Sequence, residues 1–432
     1  MTLNTTADAL ATADAAADPV RPLRVLVTGY RSHPFVGGQG VYIRELTTAL
    51  KALGHDVTVA SGPPYPQLDP GIGLMEFPSL DLFAESNAFL ALRAHHLSNW
   101  ADFSEWLAHN TGAFGELNSF ALRLEAYLER YADDFDVIHD NQTLMPAFAR
   151  INRGLPVITT IHHPIAIDRD FAVAAGRKWW EKLLSLRWYN FVDTQARLTR
   201  QLPRLLAVSE AARQSHAERY GTDPEHMRVS FNGIDHNVFS PDASVEREKG
   251  LIVTNASADA PIKGLDLLIK ALAEIAPERP DLRLHIIGRL REGPAKRTLE
   301  ALGLSDRVST SADLAREEIA NLYRRANVVV CPARFEGFGF PAAEAMACGA
   351  AVCASDGGAL PEVVGDCGLV SPVEDTAQLA ANIASLIDHP ERAAEIGARA
   401  IKRAQAEFDW RQHALAATHL YTEALAERGA GS

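Results

Sequence analysis

The sequence contains no run of eighteen apolar residues, so it predicts no transmembrane helix. It has four cysteines and no C-x-x-C pair, which argues against a structural zinc site. Basic residues are outnumbered: 42 Lys and Arg against 55 Asp and Glu give a net charge of −13, which argues against a nucleic-acid-binding protein. We therefore expect a cytoplasmic protein with reduced, buried cysteines and no nucleic-acid partner.

The first residues also lack the features of a secretory signal. Residues 1–21 are rich in Ala, Thr and Asp, without a basic start followed by an apolar stretch. They predict a disordered N-terminal tail. The full length of 432 residues exceeds that of one ordinary domain, so two or more domains are expected.

A strand–loop–helix–strand pattern opens the ordered part of the chain. Residues 23–28 form a short apolar run typical of a buried parallel strand, residues 41–53 have the spacing of an amphipathic helix, and residues 56–60 form a second strand. The pattern recurs after a turn-rich segment near residues 232–242. It predicts an α/β protein with two Rossmann-like, doubly wound parallel-sheet domains that face a central cleft.

The domain limits follow from the position of the turn-rich segment. We predict an N-terminal domain over 22–238 and a C-terminal domain over 239–407. A helix over about 408–428 is predicted to cross back to the first domain.

The segment Glu336–Glu344 places two carboxylates on either side of a glycine-aromatic loop. Gly337 and Gly339 let the backbone approach a ligand closely, and Pro341 suits the first position of a helix. The free N–H groups of such a helix start favour an anion such as phosphate. Carboxylates accept hydrogen bonds from sugar and ribose hydroxyls. Together these features indicate a nucleotide-sugar site.

The chain resembles the retaining glycosyltransferases of family four, which have the two-domain GT-B fold. The resemblance covers about residues 22–425. Its matching motifs are Gly37-Gly38, 232–235, Lys263-Gly264, 336–344, 352–355, Gly357-Gly358 and Pro361-Glu362. It implies a glycosyltransferase that moves a hexose from a nucleoside-diphosphate sugar to a hydroxyl acceptor, with UDP as the first nucleotide expected.

The resemblance also assigns roles to individual positions. Glu344 is similar to the carboxylate that holds the ribose hydroxyls, and Glu336 to the one beside the donor sugar and the reacting centre. Lys263 resembles the cation on the diphosphate. The donor-binding group is completed by the close approach of Gly37 and Gly38 and by the backbone N–H groups of Phe338, Gly339 and Phe340.

Two positions depart from the family pattern. Ser257 stands where the family often carries an arginine, and we expect Arg289 to supply a second cation. Asn141 stands where many relatives have the second of two histidines. We predict that His139 and His163 line the cleft with catalytic or structural roles, because parallel sheets form sites at the carboxyl ends of their strands.

We expect no metal and no cofactor, because no Asp-x-Asp motif stands where it could hold a metal between two phosphates. One alternative is a nicotinamide-dependent oxidoreductase, but the loop 37–43 lacks the third glycine of that fingerprint. Another alternative is a non-catalytic nucleotide-sugar sensor or scaffold.

The segment 177–204 contains seven basic and two acidic residues among several tryptophans. Such a segment favours contact with the inner, anionic face of a membrane, which would fit a lipid acceptor. The competing interpretation is a packed helix with tryptophans in the core and extended arginine stems.

Overall fold

The computed structural model describes residues 21–34, 38–82, 85, 87–256 and 260–431. The predicted tail over residues 1–21 lies outside this part of the chain except for its last residue. The predicted roles of Gly37 and Ser257 also fall on residues that are not described.

Two parallel sheets form the framework and confirm the predicted GT-B fold. The first has the strand order β3-β2-β1-β4-β5-β6-β7 and the second the order β10-β9-β8-β11-β12-β13. The strands of the first sheet are β1 Arg24–Gly29, β2 Asp56–Ser61, β3 Gly73–Glu76, β4 Val137–Asn141, β5 Val157–Ile161, β6 Leu205–Ala207 and β7 Met227–Val229. Those of the second are β8 Leu251–Asn255, β9 Arg283–Ile287, β10 Val308–Ser311, β11 Val328–Cys331, β12 Val352–Ser355 and β13 Leu369–Ser371.

Helices connect the strands and cover the sheets. In the first half they are α1 Gln39–Ala52, α2 Trp100–Asn110, α3 Glu116–Tyr131, α4 Pro146–Ile151, α5 Ala166–Ala175, α6 Trp179–Trp188, α7 Val192–Thr199 and α8 Glu210–Tyr220. In the second half they are α9 Leu265–Ile275, α10 Pro294–Ala301, α11 Arg316–Arg325, α12 Phe340–Ala347, α13 Leu360–Val364, α14 Thr376–Asp388, α15 Pro390–Glu407 and α16 Trp410–Gly431.

The central strands are covered on both faces. Strands β4, β5, β11 and β12 are buried along their whole length. Burial on both faces explains the continuous apolar run of β11, whereas β4 and β5 also carry buried polar side chains such as His139 and Thr160. The edge strands differ: β3 and β10 are half-exposed or exposed, and their short polar sequences carry no comparable signal.

Helix α16 returns from the second half to the first. Its residues Trp410, Ala417 and Tyr421 are buried in one apolar cluster with Tyr42 and Leu46 of α1. Helix α15 ends at Glu407 and α16 spans Trp410–Gly431, against a predicted last helix over about 408–428. The break falls at Phe408 and Asp409, where the Asp409 side chain accepts a hydrogen bond from the Arg411 N–H.

The turn-rich segment lies against that break. The N–H of Ile234 donates to the carbonyl of Phe408 at 3.0 Å. A side chain at Gly233 would meet the backbone nitrogen of Trp410 at 2.2 Å. The two crossings between the halves therefore run side by side, and the glycine is required by their close approach.

Candidate active site

The loop between β11 and α12 carries the glycine-aromatic motif to the carboxyl edge of the second sheet. Gly339 precedes the helix with φ +100°, a conformation that favours glycine. Pro341 is the second residue of the helix, one position later than predicted. Phe338 is buried and packs against Phe340 and Phe408. The phenyl rings therefore anchor the loop, while the backbone of residues 338–340 forms the start of the helix.

Lys263 and Glu336 form an ion pair at the rim of this loop. The Lys263 Nζ lies 2.6 Å from the Glu336 Oε1, and the side chains are 31% and 18% exposed. Burial lowers the pKa of Lys263, but the Glu336 carboxylate more than offsets this, so the pKa is raised. The lysine is thus a fixed positive charge beside the helix start.

Gly264 explains how Lys263 reaches this position. Its φ is +64°, and a Cβ there would lie 1.9 Å from the carbonyl oxygen of Pro332. Only glycine lets the turn before α9 pack this closely on the loop that leads to Glu336.

Glu344 lies on α12 in a less polar environment. The Tyr323 hydroxyl donates to its Oε2 over a long 3.5 Å. Burial raises the pKa of Glu344 to about 8, although the nearby Arg316 guanidinium lowers it. Sequence reasoning did not identify Arg316, which is the first residue of α11. No motif marks it, since its position depends on how α11 packs beside α12.

Arg316 joins the two halves beside Glu344. Its guanidinium lies 2.6 Å from Glu45 of α1 and 3.2 Å from Asp235. All three side chains are less than 20% exposed. The pKa of Glu45 is raised, mainly by burial. A buried bridge of this kind fixes the two halves relative to each other next to the candidate site.

Gly38 faces α12 from the opposite half. It has φ +76° and precedes α1. A Cβ at this position would lie 4.0 Å from the Phe340 ring. The structure therefore brings Gly38 to the start of α12, where the sequence predicted a close approach.

His163 is also brought to this cleft and has a partner that the sequence did not indicate. Its Nε2 lies 2.6 Å from the Asp168 Oδ2, and both side chains are about one quarter exposed. Burial raises the pKa of Asp168, but His163 and Lys263 lower it more, so the carboxyl is ionised. Gly337, the residue after Glu336, packs directly on the segment that carries His163. A Cβ at Gly337 would lie 2.0 Å from the His162 carbonyl oxygen.

His139 does not line the cleft, which corrects the prediction. Its side chain has no exposed surface. Its Nδ1 lies 2.5 Å from the Tyr421 hydroxyl and its Nε2 lies 2.7 Å from the Thr160 Oγ1. Burial lowers its pKa to about 3, so it is neutral. Of the two roles weighed for His139, the structural one agrees with this environment.

Asn141 is likewise inside the protein. It is 1% exposed, and its Oδ1 lies 2.6 Å from the His162 Nε2. Its Nδ2 has no hydrogen-bond partner among the described residues. The side chains of His139 and Asn141 are therefore buried, whereas His162, which Asn141 contacts, is partly exposed.

Arg289 stands apart from this cluster. Its side chain is 67% exposed and forms an ion pair with Asp313. It follows β9, whereas Lys263 follows β8, so the two share one sheet edge without a contact. Arg289 is therefore a surface residue in this conformation, and Arg316 is the buried cation of the second half that lies beside Glu344.

Further hydrogen bonds join the two halves along their contact surface, which we call the seam. The Glu362 carboxylate accepts hydrogen bonds from the N–H groups of Glu210 and Ala211 at the start of α8, at 2.9 and 2.6 Å. The Ser209 hydroxyl donates to the Gly337 carbonyl at 2.5 Å. These bonds hold the glycine-aromatic loop against the first half.

The cysteines, possible metal ligands and possible membrane-spanning helices were also considered in the sequence. The four cysteines are free and buried, and burial raises their pKa values. Within the described ranges, no three His, Cys, Asp or Glu side chains group as metal ligands. None of the described helices is long and apolar enough to cross a membrane.

Two family models match successive parts of the chain. Residues 36–238 match the model described as Glycosyltransferase Family 4, and residues 239–403 match Glycosyl transferases group 1. The chain is 41% identical to an MMP alpha-(1->4)-mannosyltransferase of Mycolicibacterium hassiacum, over 94% of this chain and 99% of the relative. It is 30% identical to a D-inositol 3-phosphate glycosyltransferase of Thermobispora bispora, over 90% of each.

Solved structures share the fold at low identity. Sucrose-phosphate synthase from Thermosynechococcus elongatus superposes with a TM-score of 0.71 at 22% identity, covering 94% of this chain and all of the other. Anabaena HepE in complex with UDP-glucose gives a TM-score of 0.64 at 18% identity, covering 95% and 100%.

Proposed function

The chain belongs to the family 4 glycosyltransferases, and we propose that it transfers a hexose from a nucleoside-diphosphate sugar to a hydroxyl acceptor, with retention of configuration and without a metal. The observation that carries the proposal is the Lys263–Glu336 pair at the start of α12. It combines a cation, a carboxylate and a helix N-terminus within one rim of the cleft. A diphosphate that carries a sugar needs this combination.

In the proposed reaction the diphosphate lies at the start of α12 and against Lys263. The bond between the anomeric carbon and the diphosphate oxygen breaks, and the acceptor oxygen bonds to the same face. The acceptor proton passes to the departing phosphate oxygen. Lys263 and the helix N–H groups stabilise the charge that collects on that oxygen, which is the role otherwise filled by a metal. Glu336 lies beside the sugar.

The mannosyltransferase relative supports mannose as the transferred hexose, because the similarity extends over almost the whole of both chains. It also supports an α-(1→4) linkage in the product. UDP stays the predicted nucleotide carrier on the family resemblance alone.

A donor panel tests the proposal directly. The protein is incubated with UDP-, GDP- and ADP-hexoses, with and without hydroxyl acceptors and with excess EDTA. We expect one donor to be consumed at an unchanged rate in EDTA, and the anomeric NMR signals of the product to show the donor's configuration. Inversion or loss of activity in EDTA would contradict the mechanism. Turnover of no donor would instead favour a binding scaffold.

We also propose that the outer face of α6 contacts an anionic membrane surface. The side chains of Trp179, Trp180 and Leu184 are 71%, 44% and 57% exposed, so these residues do not form a core. The Lys178 ammonium lies 4.7 Å from the centre of the Trp180 ring. An exposed apolar face with basic neighbours is typical of helices that lie on membranes.

The basic part of this surface is shorter than the sequence indicated. Arg200 donates to the Tyr220 carbonyl, and Arg204 pairs with Glu427 of α16. We therefore base the membrane proposal on the basic residues of the segment 177–187, which flank the exposed tryptophans, and not on Arg200 or Arg204. Co-sedimentation with phosphatidylglycerol vesicles at low salt tests the proposal, with Trp179→Ser as the variant and the exposed Lys402→Ala of α15 as control. Equal binding to neutral vesicles, or none, would contradict it.

A further inference from the structure

We infer that the second half carries a further ligand site, a cavity that binds a small organic anion with one carboxylate and an apolar body. The cavity has a volume of about 690 Å³. Its lining includes Gly250, Leu282 and Asn327, which directly precede β8, β9 and β11. It therefore lies at the amino-terminal edge of the second sheet, whereas the donor side lies at the carboxyl edge. We call this site the amino-edge cavity.

Four connections enclose the amino-edge cavity. They are the segment before β8, the α9–β9 and α11–β11 connections, and the turn between α14 and α15. Its apolar base is formed by Leu282, Ile387 and Ala393, which are 3%, 9% and 6% exposed and belong to one apolar cluster. Ligand pockets typically have volumes of about 300–1,000 Å³ and largely apolar walls. The cavity is therefore large enough for a small molecule and offers an apolar surface to its body.

Arg247 supplies the positive charge for the ligand. Its guanidinium donates through Nη1 to the carbonyls of Arg324 and Ala326, at 3.2 and 2.8 Å, and through Nη2 to the carbonyl of Gly349. Its partners among the described residues are these three carbonyls and no carboxylate. A guanidinium has five N–H donors, so one on Nε and one on Nη2 remain. Two donors on neighbouring nitrogens match the two oxygens of a carboxylate.

The other charged groups limit the ligand to one negative charge. Six charged side chains of the described residues line the cavity: Arg247, Lys249, Arg279, Glu278, Asp281 and Asp388. Lys249 lies 3.9 Å from Asp281, and Arg279 lies 2.6 and 3.8 Å from two carboxylates. Arg247 is thus the lining cation without a carboxylate partner. A single carboxylate balances it, whereas a phosphate dianion would add a second negative charge near the three carboxylates.

Arg247 also connects the amino-edge cavity to the donor side. The Gly349 carbonyl that it binds lies two residues after α12, the helix that carries Glu344 and whose start faces the proposed diphosphate. Helix α15, whose first turns line the cavity, packs on the same carbonyl: a Cβ at Gly397 would lie 2.2 Å from it. A carboxylate on the two remaining donors would hold Arg247 in the conformation that binds Gly349. We therefore expect the ligand to strengthen donor binding.

Binding of simple probes to the full chain tests the site. Hexanoate has the proposed charge and an apolar body. Hexanamide and hexylammonium have the same body with a neutral or a cationic head, acetate lacks the body, and inorganic phosphate supplies a dianion. We expect calorimetry to show at least tenfold tighter binding of hexanoate than of each other probe. Equal binding of hexanamide, tighter binding of hexylammonium or phosphate, or absence of hexanoate binding would overturn the inference. These outcomes are independent of the proposed function, because no donor is present.

Two variants locate the bound probe. Ala394 is an exposed lining residue of α15, so Ala394→Trp should fill part of the cavity and weaken hexanoate binding at least tenfold. The matched control is Ala406→Trp, which is exposed on the same helix outside the lining and should bind hexanoate as wild type does. Arg247→Gln removes the charge and should also weaken binding at least tenfold. If loss of its hydrogen bonds unfolds that variant, Ala394→Trp supplies the test. Unchanged hexanoate affinity in folded Ala394→Trp would overturn the location.

Donor binding tests the connection to α12. With the donor that the panel identifies, the donor Kd should be severalfold lower at saturating hexanoate than without it. Hexanoate should bind more tightly by the same factor when the donor is present, because the coupling between two binding sites is reciprocal. Ala406→Trp should keep this effect and Ala394→Trp should lose it. An unchanged or higher donor Kd at saturating hexanoate would overturn the connection, while the probe titrations without donor would still decide the site.

Discussion

The proposed donor side and the facing surface of the first half are built in different ways. The donor side comes mainly from one continuous segment, Glu336–Glu344, with Lys263 brought to it by a single glycine contact. The facing surface is assembled from separate segments: Gly38 precedes α1, and His163 follows β5 and pairs with Asp168 of α5. The difference suggests that the donor side depends on local backbone geometry, and the facing surface on the packing of separate elements.

The first prediction concerns the donor cation. Lys263→Ala removes the positive charge expected to meet the diphosphate, and loss of one such group typically costs about 3–4 kcal/mol in transition-state stabilisation. We expect kcat to fall on the order of 10²–10³-fold. Steady-state kinetics with the active donor measure this.

The control for this variant is Lys270→Ala, a half-exposed lysine on α9 in the same half. Its kcat should stay near wild type. If Lys263→Ala retained more than a tenth of the wild-type kcat, the cation would lie elsewhere.

The second prediction concerns the seam between the two sides. A Cβ at Gly337 would lie 2.0 Å from the His162 carbonyl oxygen, so Gly337→Ala must separate the donor loop from the first half. We expect kcat to fall at least tenfold, with a smaller loss of donor affinity. Gly154→Ala is the control, because a Cβ there meets its nearest atom at 3.9 Å. Full activity of Gly337→Ala would show that the seam is not needed.

The third prediction uses the ionisation of Glu344, whose pKa is raised to about 8 by burial. Below that pH the carboxyl is mostly protonated and is a weaker acceptor for ribose hydroxyls. Donor affinity should therefore rise severalfold from pH 7 to pH 9. Glu344→Gln should bind about tenfold more weakly at pH 9 and lose this dependence, whereas the exposed Glu317→Gln should behave as wild type. Calorimetric titration of the donor between pH 7 and pH 9 measures these affinities, and a pH-independent affinity of the wild type would contradict the prediction.

The fourth prediction concerns the stability of the first half at acid pH. Burial lowers the pKa values of His139 and His162 to about 3 and that of His413 to about 4. The unfolded chain takes up these protons near pH 6.5, so the unfolded state binds more protons below that pH. The contribution of these three histidines to the stability should be constant above pH 6.5 and fall as the pH drops toward 4.

Tryptophan fluorescence can follow this effect selectively. All six tryptophans lie in the first half or at the start of α16: Trp100, Trp106, Trp179, Trp180, Trp188 and Trp410. Between pH 6.5 and 4.5 the fluorescence-detected Tm of His413→Gln, which lacks one titrating group, should rise relative to that of wild type. An equal change of Tm with pH in wild type and His413→Gln would contradict the buried, neutral assignment of His413.

Features that depend on local sequence were predicted better than contacts between segments distant in the chain. The central strands and the loop before α12 were predictable, because apolar runs and glycine-proline punctuation act locally. Arg316 was not, since its position depends on Glu45 and Asp235, which are far away in sequence. Asp168 lies only five residues after His163, but no motif marks the pair. His139 was misplaced because β4 continues to Asn141, so His139 lies within the strand, where Thr160 and Tyr421 supply buried partners.

The most direct test of the proposed donor side is donor binding without acceptor in two variants. Calorimetry at pH 9 should show about tenfold weaker donor binding for Glu344→Gln and wild-type affinity, within twofold, for Arg289→Ala, whose side chain is exposed and paired with Asp313. The account would be contradicted if Arg289→Ala weakened donor binding as much as Glu344→Gln, or if Glu344→Gln bound the donor as tightly as wild type.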